Sequence, residues 1–147
     1  MSTYASLHYH MVFATKHRTN LIHRRWEERL HQYIGGVVRG LDGFPQSVGG
    51  VEDHVHLLVG LRQTHCIATF MRELKKASSQ WVHEEIKQCE FAWQEGYAVF
   101  SVSADVRAKV KSYIAHQREH HQVKSYREEL VEMLDKAGIE YDSKYLD

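Results

Sequence analysis

The sequence predicts an α+β domain of the ferredoxin-like, RRM-like kind: a split βαβ antiparallel sheet with helices on one face and a C-terminal helix laid over the other. Two observations carry this. Alternating apolar runs at 7–14, 54–61 and 97–102 read as strands, with amphipathic stretches between them, in the order β-α-β-β-α-β followed by two helices. The 147 residues, 43% of them hydrophobic and only one a proline, are enough to bury one core without disulfides or a structural metal. Residues 1–147 are therefore expected to form one domain.

Leu7, Tyr9, Met11 and Phe13 fall on one face of the first strand, leaving His8, His10 and Val12 on the other. From His23 to Leu41, Trp26, Leu30, Tyr33, Ile34, Val37, Val38 and Leu41 keep the spacing of one helix face. Gly35 and Gly36 weaken that helix, which predicts close packing against a neighbour. Asp42-Gly43 ends it, Phe44 to Val51 is a short strand, and Glu52-Asp53 makes a turn into the run His54 to Leu61. There Val55, Leu57, Val59 and Leu61 form one face and His54 and His56 the other. Thr64 is placed to cap a second helix with the stripe Ile67, Phe70, Met71, Leu74, Ser78, Trp81 and Val82. Tyr97 to Val102 is the fourth strand. Ser103 is expected to cap a third helix running to His121, and the capping box Ser125-x-x-Glu128 opens a last helix ending at Gly138.

Nineteen basic and nineteen acidic residues cancel, so net charge alone does not point to nucleic acid. Segregation still permits it, because acidic residues collect from Glu128 to Asp147. Cys66 and Cys89 form no metal or disulfide pattern, the N-terminus has no leader-like segment, and no apolar run is long enough to span a bilayer. A cytoplasmic protein with no membrane partner is expected. The surplus to explain is histidine, with twelve residues.

Residues two apart on a strand point the same way and lie about 6.5–7 Å apart, so His54 and His56 can converge on one ion. In the predicted topology the first and third strands are central neighbours, which adds His8 and His10 to that face. On the third helix Tyr113 and Gln117 stand four apart, on one side, where both can reach a single point. His10 can lie near such a site or serve packing, and His120 and His121 can touch phosphates or, the preferred reading, cap and solvate the helix.

These residues resemble the single-tyrosine HUH transposases of the smallest insertion sequences, which move as single-stranded DNA. The resemblance rests on Tyr9-His10-Met11-Val12-Phe13, on Gly49-Gly50-Val51-Glu52-Asp53-His54-Val55-His56-Leu57-Leu58 and on Trp93-Gln94-Glu95-Gly96-Tyr97. Ser101-Val102-Ser103, Tyr113-Ile114-x-x-Gln117-x-x-His120-His121 and Gly138-Ile139-Glu140-Tyr141-Asp142 continue it. It implies that His54, His56 and Gln117 are metal ligands and Tyr113 the nucleophile. The partner it implies is single-stranded DNA with hairpin ends, and the product a 5′-phosphotyrosine and a free 3′-OH. It further implies a homodimer in which the tyrosine helix of one subunit completes the site of the other. Two imidazoles alone suit zinc; a glutamine oxygen and phosphate oxygens favour Mg2+ or Mn2+, the family's ions. No nucleotide cofactor is expected, and no Walker-type loop is present. Arg72, Lys75 and Lys76 lie outside the second helix's apolar stripe, where they can grip a hairpin backbone. Two other classes fit parts of the pattern: a non-catalytic single-stranded nucleic-acid binder, and a metal-dependent phosphodiesterase using water.

Overall fold

The structure, a computed structural model, describes residues 2–146. Four antiparallel strands, β1 (His8–Ala14), β2 (Phe44–Val51), β3 (His54–Gly60) and β4 (Ala98–Val102), form one sheet in the order β2-β3-β1-β4. This is the expected split βαβ topology, with the two histidine-bearing strands at its centre.

Helices α1 (Arg24–Gly40) and α2 (Ile67–Trp81) cover one face. The main core lies there: Met11 and Phe13 of β1 and Val55, Leu57 and Val59 of β3 meet Trp26, Leu30, Ile34 and Val38 of α1 and Phe70, Met71 and Leu74 of α2. Leu57 is fully buried in this layer, so Leu57→Ala is expected to cost about 2–5 kcal/mol in urea denaturation. The other face is covered by α3 (Arg107–Ala115), α4 (Gln117–His120) and α5 (Tyr126–Lys136). Val12 and Ala14 pack under Tyr126, Leu130 and Leu134 of α5, and Leu58 packs under Ile114 of α3. With both faces covered, every residue of β3 is buried.

Several local expectations are corrected. The second helix begins after Cys66 rather than at a Thr64 cap, and no side chain caps it. Ser103 precedes a short 3-10 turn, Ala104–Val106, and its hydroxyl caps nothing. The third helix is not continuous to His121: it breaks at His116, whose φ of −110° and ψ of 29° leave the helical region and start α4 in a new direction. The Ser125 cap is present, its side chain accepting from the Glu128 N–H, and Gly138 follows α5 at φ 68°.

Gly35 and Gly36 admit no close neighbour. A Cβ at Gly36 would meet nothing within 4 Å. The close approaches fall on β2 instead, where a Cβ at Gly49 would lie 2.3 Å from the Ile114 carbonyl oxygen of α3. A Cβ at Gly50 would lie 2.2 Å from the His54 carbonyl oxygen. Both contacts hold the site helix and the histidine strand where they are.

Arg118 ties the second layer to the first, donating to Glu27 of α1 at 2.7 Å and to Glu52 of the β2–β3 turn at 2.9 Å. Beside it on α1, burial and the Arg118 charge lower the His31 pKa to about 4. A folded pKa below the unfolded value means that the unfolded chain binds more protons between about pH 4 and pH 6.5. The stability due to neutral His31 is therefore present above pH 6.5 and lost as pH falls through that window. Urea titrations at pH 7.5 and 5 are expected to show a loss that His31→Gln reduces by about 1–2 kcal/mol. An unchanged difference in the variant would contradict this role.

Candidate active site and metal centre

The buried strand β3 presents His54 and His56 toward α4 and α5, and each imidazole is fixed from behind. His54 donates from Nδ1 to the Asp53 carboxylate at 2.6 Å. The His56 Nδ1 shares a 2.7 Å hydrogen bond with the His10 Nε2. His121, carried past the break at His116, donates from Nδ1 to the Lys124 carbonyl at 2.7 Å. A neutral imidazole held by an acceptor at Nδ1 would give its Nε2 lone pair to a metal, which would take the place of the Nε2 protons shared with Glu129. All three Nε2 atoms point at one place.

That place is lined by oxygens of Gln117 and Glu129. The Gln117 Oε1 lies 3.2 Å from the His54 Nε2 and 3.0 Å from the His121 Nε2. The Glu129 Oε1 lies 2.9 Å from the His56 Nε2, 3.4 Å from the His54 Nε2 and 3.3 Å from the His121 Nε2. Donors bound at roughly 2.1 Å around a tetrahedral ion stand about 3.4 Å from one another. The cluster His54, His56, His121 and Glu129 has the spacing a metal requires, with its ligand atoms all within 4.8 Å of one another. The residues fit the ion.

Electrostatics follow from burying one carboxylate among imidazoles. Burial alone would raise the Glu129 carboxyl, but hydrogen bonds from His121, His54 and His56 outweigh it and hold it far below the usual carboxylate range. Burial also opposes the charged form of His54, yet the Asp53 and Glu129 carboxylates prevail and lift its pKa to about 9. His56 is lowered to about 4, by burial first and despite Glu129. His10 is lowered to about 3 by burial and then by His56.

The second Glu129 oxygen faces the tyrosine. The Tyr113 hydroxyl donates to Oε2 in a short hydrogen bond, and the Gln117 Nε2 donates to the same atom at 3.1 Å. Burial first, and the Glu129 charge second, push the phenol above its ordinary pKa. His120 stacks on the Tyr113 ring at 4.5 Å between centroids. A cavity of about 260 Å³ opens at Tyr113 between α3 and α5, with Lys109, Lys124 and Lys136 among its lining residues. Lys124 and Lys136 also pair with Glu132.

His54, His56, Gln117 and Tyr113 thus meet in one chain, and His10 stands directly behind His56. The reading of His121 as solvated or capping is corrected: the break at His116 turns it inward. Glu129 went unnoticed because it sits among other acidic residues of an ordinary amphipathic helix. Its one legible sign was the strong capping box that fixes α5 one residue earlier.

The three basic candidates on α2 lie across the sheet from this site. The Lys75 ammonium donates to the carbonyls of Gln94, Glu95 and Gly96, at 2.5, 2.8 and 3.1 Å, and so holds the Trp93–Tyr97 loop rather than projecting as a free cation. Arg72 and Lys76 are exposed. The histidine face of the sheet is covered by helices, so it offers no open platform for stacked bases.

Fold and site define a four-stranded sheet with helices on both faces in which a buried imidazole and carboxylate cluster that could hold a metal ion lies against a tyrosine. Residues 3–117 match the family of IS200-like transposases, and the chain belongs to that family. It is 31% identical over 122 residues to the transposase for insertion sequence element IS200 of Salmonella typhimurium, covering 76% of each chain. With the ISDra2 transposase TnpA of Deinococcus radiodurans it shares 26% identity over 121 residues, 77% of this chain and 85% of that one. Among solved structures, one assigned as a transposase from Deinococcus radiodurans R1 superposes with a TM-score of 0.64 at 27% identity. It aligns over 80% of this chain and 95% of the other. A REP-associated tyrosine transposase bound to a REP hairpin shares the fold, with a TM-score of 0.60 at 17% identity over 82% of this chain and 74% of that one. Among the described residues no helix is long and apolar enough to cross a membrane.

Proposed function

We propose that this transposase cleaves and rejoins single-stranded DNA through Tyr113, acting on strands with hairpin ends. The observation that carries this reading is the division of Glu129, with one oxygen among three imidazole Nε2 atoms and the other accepting from the Tyr113 hydroxyl. The hairpin bound to a structural neighbour supports the DNA partner.

The substrate strand enters the cavity at Tyr113, where Lys109, Lys124 and Lys136 offer their charge to backbone phosphates. Tyr113 Oη attacks the scissile phosphorus while its proton passes to Glu129 Oε2, the transfer proceeding as the new O–P bond makes the phenol acidic. The P–O3′ bond breaks, the 3′ oxygen leaves as a hydroxyl after taking up a proton from solvent water, and the 5′ phosphate stays on the tyrosine. A 3′-OH attacking that phosphotyrosine reverses the step and joins strands without a nucleotide cofactor. His54, His56, His121, Gln117 and Glu129 would hold a divalent ion that supplies Lewis-acid stabilisation of charge on the phosphate oxygens. A set rich in imidazole favours Mn2+ or another transition ion over Mg2+. His10 orients His56, and Gln117, which touches His54, His121 and Glu129, orients the carboxylate toward Tyr113. Arg72 and Lys76 remain candidates for contacts with the hairpin backbone.

The test is an incubation with a pool of labelled single-stranded hairpins carrying randomised flanks, in Mn2+ or Mg2+, followed by a denaturing gel. A covalent protein–DNA band is expected, stronger in Mn2+, and absent from Tyr113→Phe. Strand cleavage that persists in Tyr113→Phe without an adduct would replace this mechanism with hydrolysis by water.

A further inference from the structure

A second groove, of about 560 Å³, lies on the far side of α3 from the Tyr113 cavity, between that helix and the edge strand β2. Its floor is apolar, from Leu58 and Pro45, and its α3 wall carries Arg107 and Lys111 against a single acidic residue, Asp105. The strand wall is irregular. Pairing of β2 with β3 shifts register between Pro45 and Ser47, so Gln46 is the extra residue of a bulge, a device that re-aims one side chain out of the regular pleat. The Gln46 side chain lines the groove, with its amide 3.3 Å from the His8 Nδ1. Arg107 reaches the same histidine from the opposite wall, at 3.3 Å.

We infer that this groove binds one unpaired nucleotide of the single-stranded DNA that flanks the scissile phosphate. An apolar floor suits a base, the flanking cations suit its phosphates, and the Gln46 amide suits the polar edge of a base. Placement agrees. Arg107 and Lys111 share α3 with Tyr113, Arg107 about 9 Å along the helix axis from it. A helix about 10 Å across is spanned by about three stacked nucleotides. A strand held at Tyr113 therefore crosses α3 and places a nearby base in the groove. The inference takes its substrate from the strand-cleaving function proposed above, and adds a place where the protein itself reads a flanking base.

The test is binding alone, by fluorescence anisotropy of labelled oligo(dA), oligo(dC) and oligo(dT), in EDTA and with Tyr113→Phe protein, so that it does not depend on cleavage. The parent is expected to bind the three oligonucleotides unequally, and Gln46→Ala to abolish the difference. Arg107→Ala with Lys111→Ala is expected to weaken all three by about tenfold and to flatten the dependence on salt. Equal binding of the three oligonucleotides by the parent, or unchanged binding in the variants, overturns the inference. An absent covalent adduct in the gel assay, with these binding differences intact, would overturn the cleavage mechanism and leave the groove standing.

Discussion

Glu129→Gln is expected to reduce adduct formation by about 10²–10⁴-fold, the range spanned by loss of a positioned general base. The substitution keeps the size and two polar atoms but removes the charge that faces three imidazoles on one side and the Tyr113 hydroxyl on the other. A neutral amide accepts a proton poorly, and its NH2 group presents hydrogens either to the tyrosine or to the imidazole nitrogens. Metal affinity, followed by titration with Mn2+ or by the visible spectrum of bound Co2+, is expected to fall at least tenfold as one anionic donor is lost. The two readouts separate the roles of the two oxygens. Weakened metal binding with a normal adduct rate at saturating Mn2+ would remove Glu129 from the proton transfer. Unchanged values of both would remove it from the site.

Gly49→Ala is expected to have the second largest effect, although Gly49, the cross-strand partner of His56, brings no side chain to the site. Its missing Cβ would stand 2.3 Å from the Ile114 carbonyl oxygen, 3.0 Å from the Ile114 Cγ2 and 3.2 Å from its carbonyl carbon. Two of these three atoms are backbone, so the clash cannot be relieved by a rotamer change and α3 must lift from β2. Overpacking of this kind costs about 1–3 kcal/mol, which thermal denaturation will show. Tyr113 precedes Ile114, so the lift moves the phenol away from Glu129. Displacement of a reacting group by about 1 Å costs on the order of 10²-fold in rate. The adduct rate should therefore fall well beyond what loss of folded protein accounts for. A variant that melts and reacts like the parent would show that α3 does not depend on this contact.

Three of the four strands were legible from their alternating runs and β2 mainly from the turns that bound it, and β3 could be assigned its two faces from His54-Val-His56-Leu alone. Helix interiors were equally readable, and helix starts less so. At Thr64 and Ser103 the residue type suited a cap, but the chain turns into the helix elsewhere, and no hydroxyl reaches an orphan N–H. The break at His116 had no glycine or proline to announce it, and so the inward turn of His121 was hidden. Histidines two apart on a strand and a tyrosine four before a glutamine are local patterns. The contribution of Glu129 is not local: it arrives from a separate helix 73 positions after His56. Lys75 shows the converse, a residue outside the apolar stripe whose charge is absorbed by three carbonyls of a loop the helix itself supports.

The match to IS200-like transposases ends at residue 117. Gln117 is its last position, while His121 and Glu129 follow it, so the candidate donor set spans the matched residues and the segment behind them. On the proposed function, that segment adds to His54, His56 and Gln117 a third imidazole and the one anion, and ion preference would rest on it. Exchanging the segment after Gln117 between relatives is then expected to change metal preference, provided that the exchange keeps the Tyr113–Glu129 contact and the packing of α5 on β1.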